Sequence, residues 1–251
     1  MLDAPGSREF LVAELAGYRR AAEECAGRSI SDEALRQSIK LYNQTRRLLS
    51  MLYERQEQRP ETVPASEVAA VITAAMTMPK EDFNPLLSRY LDMKRASRLP
   101  AGDGVRLVLT GNPCEDVEPS LLELLAELGG AAVADDLYPG QKYLGGLVAE
   151  EGDPLAALAN AYFADIPCPT KNQAGRHWAS HVAAQAGEAR AKGVLVLLPK
   201  FCEIYAFEYP GVAQRLADAG IPHLLLETDH SGVSGPLKTR LQAFVEMLKG
   251  E

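Results

Sequence analysis

The chain is predicted to be an α/β protein in which an N-terminal helical segment precedes an open, mostly parallel four-stranded sheet flanked by helices. Two observations lead there. Residues 1–98 carry helical periodicity without a convincing strand, and after Gly104 four short apolar runs alternate with helical stretches. Short apolar runs bounded by turn signals suit strands buried on both faces. Their alternation with helices makes the strands parallel, joined by right-handed crossovers.

From the N-terminus onward, Ser7 ahead of Phe10, Leu11, Leu15 and Tyr18 predicts a capped amphipathic helix. Ser31 opens a longer one through Leu35, Ile39 and Leu41, and its first turn carries Asp32 and Glu33, the sign of charge that a helix N-terminus favours. Leu48, Leu49, Met51, Leu52 and Tyr53 crowd together in this second helix, as core or as an interface with another chain. Pro60 and Pro64 punctuate the chain, helical patterns follow over 66–76 and 81–96, and LPAGDG (99–104) is a turn. The predicted strands are VRLVLTG (105–111), GAAVADD (130–136), GVLVLLP (193–199) and IPHLLLETD (221–229). Helical patterns over 120–128, 154–164, 173–191, 210–219 and 236–249 separate and follow them. The expected organisation is a helical segment over 1–98 and a flavodoxin-like or Rossmann-like domain over 99–251.

With 251 residues, 47% of them hydrophobic, the chain can bury an ordinary core in one or two domains. A formal net charge of −8 argues against nucleic acid as a partner, because phosphate binding needs a concentrated excess of Lys and Arg. No signal-peptide pattern opens the sequence, and no run approaches the roughly 20 apolar residues that span a bilayer, so a cytoplasmic protein with no membrane association is expected. The four cysteines, Cys25, Cys114, Cys168 and Cys202, are too few and too dispersed for a disulfide framework. In a reducing compartment they are thiols or metal ligands.

In open α/β sheets the functional crevice lies beyond the carboxyl ends of the strands. The first strand delivers Asn112, Cys114, Glu115 and Asp116 to that edge, and the second delivers Asp135, Asp136 and Tyr138. The third delivers Lys200, Cys202 and Glu203, and the fourth Glu227, Asp229 and His230. Cys168 lies in the crossover between the second and third strands, between two stiffening prolines, Pro167 and Pro169. Three thiolates from separate loops suit an iron–sulfur cluster or a zinc ion. The competing reading for each cysteine is a small buried hydrophobe, and Cys25, inside a predicted helix, keeps that reading. Asp135 and Asp136 are candidate proton donors or, equally, turn caps. His177 and His181 have a zinc-compatible helical spacing, but Trp178 stands where a metalloprotease would carry its glutamate, so surface or packing roles are expected. There is no P-loop; Lys142, Lys171 and Arg176 flank the edge as candidate phosphate contacts, with solvated surface charge the expected role for each.

Read together, KFCEIYAFEYPGVAQRLADAGIPHLLLETDHS, TGNPCED, ADDLYPGQKYL and IPCPTK resemble the 2-hydroxyacyl-CoA dehydratase and benzoyl-CoA reductase subunit family, of the D-component type. GRSISDEALRQSIKLYNQTRRLL is similar to its central helical region. The resemblance implies a subunit with a cysteine-ligated [4Fe-4S] cluster that binds an acyl-CoA thioester. It also implies a homologous cluster-bearing partner subunit and an ATP-hydrolysing activator that supplies a low-potential electron. Carried onto this chain, Cys202 matches a cluster ligand best, with Cys114 and Cys168 as the others. The DDLY, PCPTK and KFCE segments resemble the benzoyl-CoA reductase branch. Members usually carry a further N-terminal α/β domain that contributes to the cleft, and the chain is expected to lack it.

Overall fold

A computed structural model describes residues 4–97, 99–100, 102–112, 119–164, 166–171, 177–228 and 233–250. Four helices come first: α1 (Ser7–Ala26), α2 (Asp32–Gln58), α3 (Ala65–Thr77) and α4 (Lys80–Ala96). They are followed by β1 (Val105–Gly111), α5 (Pro119–Glu127), β2 (Gly130–Asp135), α6 (Gln141–Leu144), α7 (Pro154–Ala164) and α8 (Trp178–Glu188). The chain ends with β3 (Gly193–Pro199), α9 (Glu203–Asp218), β4 (His223–Thr228) and α10 (Gly235–Lys249). All strand pairs are parallel, in the order β2-β1-β3-β4, so the predicted fold class is the observed one.

Period-two alternation divides the sheet between two cores. On one face Leu107, Leu109, Leu195 and Leu197 pack against Leu121 and Leu125 of α5 and Leu241 and Phe244 of α10. On the other, Val108, Val194, Val196 and Leu198 meet Trp178 and Val182 of α8 and Tyr205, Val212 and Leu216 of α9. Both faces are covered, which is why these strands read as continuous apolar runs.

The N-terminal helices form a third core from Leu49, Leu52, Tyr53, Ile72, Phe83, Leu87 and Leu91. The crowded segment of α2 is therefore core: Leu52 is fully buried, and the interface reading does not hold for it. Gln56 of α2 donates from Nε2 to the Ala132 carbonyl at 3.0 Å, satisfying one acceptor of the edge strand β2. Arg106 of β1 gathers carbonyls from two helix ends, donating to Glu57 at 2.9 Å and to Ala189 at 2.7 Å.

Several local expectations differ from the structure. Ser31 caps α2, accepting from the Ala34 amide at 3.1 Å, but Ser7 lies inside α1 while Gly6, at φ 81, takes the cap position. Cys25 is exposed rather than buried, because α1 rests against α7 and buries none of its residues. Helix α8 is shorter than the predicted 173–191, whose first residues fall outside the described ones. Helix α9 begins at Glu203, not at Pro210. The helix carries Pro210 inside it at the cost of one backbone bond, and Tyr205, Val212 and Leu216 on a single buried face hold both halves against the sheet.

Gly111 closes β1 at φ 121, and a methyl group on its Cα would sit 1.9 Å from the Leu197 carbonyl oxygen. Only glycine fits between β1 and β3 here. Gly111→Ala is expected to lower unfolding stability by at least about 2 kcal/mol, read as a drop in the urea midpoint.

Candidate functional site

The strand order reverses between β1 and β3: the chain goes from β1 outward to β2, then returns to the other side of β1. Crevices in open α/β sheets form beyond the carboxyl ends of strands at such a switch point. Asn112 follows β1 and Cys202 follows β3, and the Asn112 amide nitrogen lies 3.9 Å from the Cys202 sulfur across it. A strained turn positions the thiol. Phe201 adopts φ 69, rare for a residue with a β-carbon, and its side chain is 97% exposed. The Cys202 amide donates back to the Pro199 carbonyl at 3.1 Å, so Cys202 returns to the sheet as the N-cap of α9.

One turn into α9, the Tyr205 side chain is buried against Trp178, ring centroids 4.8 Å apart in an edge-to-face contact. Its hydroxyl connects two groups. Lys142 Nζ approaches it at 3.3 Å, and the Cys168 sulfur lies at 3.3 Å. An ammonium can only donate, so the tyrosine oxygen accepts from Lys142 and its single proton is left available to Cys168. The Thr170 hydroxyl is a second polar neighbour of that sulfur, at 3.1 Å. Burial raises the Cys168 pKa, but hydrogen bonding from Thr170 and Tyr205 and the Lys142 charge outweigh it, leaving the thiol below its ordinary value. Burial, then Cys168, then charge at Asp136 and Cys202 push Tyr205 far above the usual tyrosine value, so it stays protonated.

Behind Lys142 lies Asp136, fully buried, with Oδ2 at 3.4 Å from Nζ and accepting from Trp178 Nε1 at 2.8 Å. Trp178 Nε1 also reaches Thr110 Oγ1 at 3.1 Å. A cleft of about 620 Å³ opens in front of this network, lined by Asn112, Cys168, Tyr205 and Lys142 with Tyr138, Tyr143 and Tyr162 among its walls.

The structure thus brings Cys168 and Cys202 to the same edge, both packed against the core around Tyr205 and both free. Cys114 lies outside the described residues, as do Glu115, Asp116, Asp229, His230 and Arg176. Lys142 is not solvated charge: its side chain is 5% exposed and ion-paired. Lys171 lines the cleft, its Nζ 4.3 Å from the Tyr162 ring centroid. His177 precedes α8 as its N-cap and His181 lies one turn in. A soft metal centre needs sulfur donors in a setting that tolerates their negative charge. Cys168, with hydroxyl donors and a nearby ammonium, and Cys202, at the positive end of α9, provide two. Among the described residues no group of three His, Cys, Asp or Glu is placed to hold a metal ion, so a third donor would have to be Cys114 or come from another chain or segment.

The family model for the 2-hydroxyglutaryl-CoA dehydratase D-component matches residues 1–248. The chain belongs to this family. It is 29% identical over 248 residues to a benzoyl-CoA reductase subunit of Thauera aromatica, covering 96% of this chain and 63% of that protein. It is 26% identical over 242 residues to the (R)-phenyllactyl-CoA dehydratase beta subunit of Clostridium sporogenes, covering 96% and 64% respectively. To the lactoyl-CoA dehydratase beta subunit of Anaerotignum propionicum it is 30% identical over 248 residues, covering 96% and 65%. The chain thus spans just under two thirds of the length of these relatives. Among the described residues of this D-component family member, no helix is long and apolar enough to cross a membrane.

Four functional candidates in this D-component chain were not singled out in the sequence: Tyr205, Thr170, Tyr143 and Tyr162. The available signal for Tyr205 was its position three residues after Cys202, one turn along the same helix. Asp135 fulfils the capping expectation. Its Oδ1 accepts from the Leu137 and Gln141 amides at 3.1 and 2.9 Å, and its Oδ2 from the Tyr53 hydroxyl at 2.9 Å. Burial outweighs those bonds and, with Asp136 adjacent, raises its pKa to about 6. A carboxyl whose folded pKa exceeds its unfolded value binds its proton more tightly when folded. Its contribution to stability is therefore greatest below the unfolded value and is lost as pH rises through about 6. Asp135→Asn is expected to flatten the fall in unfolding free energy between pH 4 and 6.5, measured by urea denaturation across that range.

Proposed function

We propose that this chain is the iron–sulfur subunit of an ATP-activated acyl-CoA reductase or dehydratase of the benzoyl-CoA reductase type, working in a reducing cytoplasm. The observation that carries the reading is that Cys168 and Cys202 pack against the same Tyr205 core at the β1/β3 switch point, Cys168 lining the tyrosine-walled cleft and Cys202 lying 3.9 Å from Asn112 of its wall. Cys202 and Cys168 would hold a [4Fe-4S] cluster, with Cys114 as the third ligand. Bound there, such a cluster supplies low-potential one-electron chemistry. A homologous cluster-bearing subunit and an ATP-hydrolysing activator are the partners this reading requires, since the chain has no P-loop of its own.

The chain's own residues prepare the cleft. With Lys142 donating from behind, the Tyr205 proton is available to the Cys168 sulfur, and hydrogen bonds to sulfur are among the factors that set a cluster's potential. Tyr138, Tyr143 and Tyr162 offer aromatic surface for an acyl group and keep water from it. The carboxylate of Asp136 holds Lys142 in place from the side away from the cleft lining.

A second reading is a partner or scaffold subunit without a cluster. Iron, sulfide and zinc analysis of anaerobically purified protein, before and after reconstitution, separates the two. About four irons and four sulfides per chain are expected, lost in Cys202→Ala and retained in Cys25→Ala. Full iron in Cys202→Ala would remove it from the ligand set. Metal-free protein under both conditions would favour the scaffold, and colourless protein with stoichiometric zinc would make the thiols a structural zinc site.

A further inference from the structure

Lys142 has a donor to spare. An ammonium carries three N–H groups, and here the groups within reach of Nζ are Asp136 Oδ2 at 3.4 Å and the Tyr205 oxygen at 3.3 Å. Among the described residues the third N–H has no acceptor, although Lys142 and its partner Tyr205 both line the cleft. The side chain is held in place. It is 5% exposed, with Nζ 5.5 Å from the Tyr205 ring centroid and the buried carboxylate behind it.

We propose that Lys142 donates its third hydrogen bond to the carbonyl oxygen of an acyl thioester, and that its pairing with Asp136 makes the cleft select the thioester over the free carboxylic acid. The inference rests on the acyl-thioester reading above and extends it to the determinant of specificity. The selectivity follows from charge. Asp136 and Lys142 form a buried pair of zero net charge, and a neutral carbonyl oxygen adds a hydrogen bond without changing that balance. A carboxylate accepting from Lys142 would place that one cation between two anions and leave a negative charge uncompensated at this point, since Lys171, the other cleft lysine, is turned to the Tyr162 ring. Among the described residues nothing beyond Lys142 offsets Asp136 directly. Its Oδ1 has no hydrogen-bond partner among them, and the Trp178 indole that reaches Oδ2 is a neutral donor. A donor so fixed is preorganised for a carbonyl and loses little freedom on binding it.

The test compares affinities of the full chain for benzoyl-CoA, CoA and benzoate by titration calorimetry, with circular dichroism verifying the fold of each variant. Lys142→Met is expected to weaken benzoyl-CoA binding about tenfold or more while leaving CoA binding unchanged, since only the acyl carbonyl is lost to it. Lys238→Met, altering an exposed lysine of α10 outside the cleft, is expected to leave the ratio of benzoyl-CoA to CoA affinity as it was. Asp136→Asn removes the charge that repels a carboxylate and is expected to strengthen benzoate binding about tenfold. A merely structural role for the pair would weaken every ligand and would not produce that gain. An unchanged benzoyl-CoA to CoA ratio in Lys142→Met overturns the inference and leaves the acyl-thioester reading standing, and so does unimproved benzoate binding in Asp136→Asn. Absence of benzoyl-CoA binding by the unsubstituted chain overturns both. If Lys142→Met does not fold, the benzoate result with Asp136→Asn decides.

Discussion

A carboxylate with no exposure to water has to be compensated, and Asp136 at the end of β2 imposes that requirement on everything around it. Lys142 meets it from the short helix α6, and Trp178 meets it from the first turn of α8. Through Lys142 the requirement extends to Tyr205 of α9 and from there to the Cys168 sulfur. Three helices and one irregular crossover are thereby tied to the same strand end. The cleft is the space left in front of this chain of contacts, and its chemistry is set by which donors and acceptors the chain leaves over.

The residue before Asp136 turns to different partners. Asp135 and Asp136 are adjacent on an extended segment, and successive side chains there point in opposite directions. Asp135 is engaged by Tyr53 of α2 and by the amides of the turn into α6, so it joins the helical layer to the sheet. Gln185 of α8 adds a bond to its backbone carbonyl at 2.7 Å. Asp136 instead serves the cleft. One of two identical neighbours thus maintains the packing that presents the other, and a methyl group on nearby Gly140 would come within 2.1 Å of Asp135 Oδ1, so the turn between them tolerates little change.

Much of this was legible in the sequence, for identifiable reasons. The four strands were readable because each is buried on both faces and therefore apolar throughout, and the edge where Cys168 and Cys202 meet follows from strand direction alone. The start of α9 was not readable. Pro210 is a strong local signal for a helix start, and only the shared burial of Tyr205, Val212 and Leu216 overrides it. Cys25 was misjudged because a helical position does not reveal which face finds a partner, and α1 buries no residue at all.

By itself, the sequence determined the fold class, the parallel sheet, the family and the arrival of thiols at one edge, because these depend on period, spacing and residue type. The strand order, the left-handed turn at Phe201 and the state of Lys142 were decided by tertiary structure. Lysine in a turn-rich stretch reads as surface charge from its neighbours in sequence. Its burial depends on Asp136, six residues away, and on Tyr205, sixty-three residues away, both of which the fold brings to the same point.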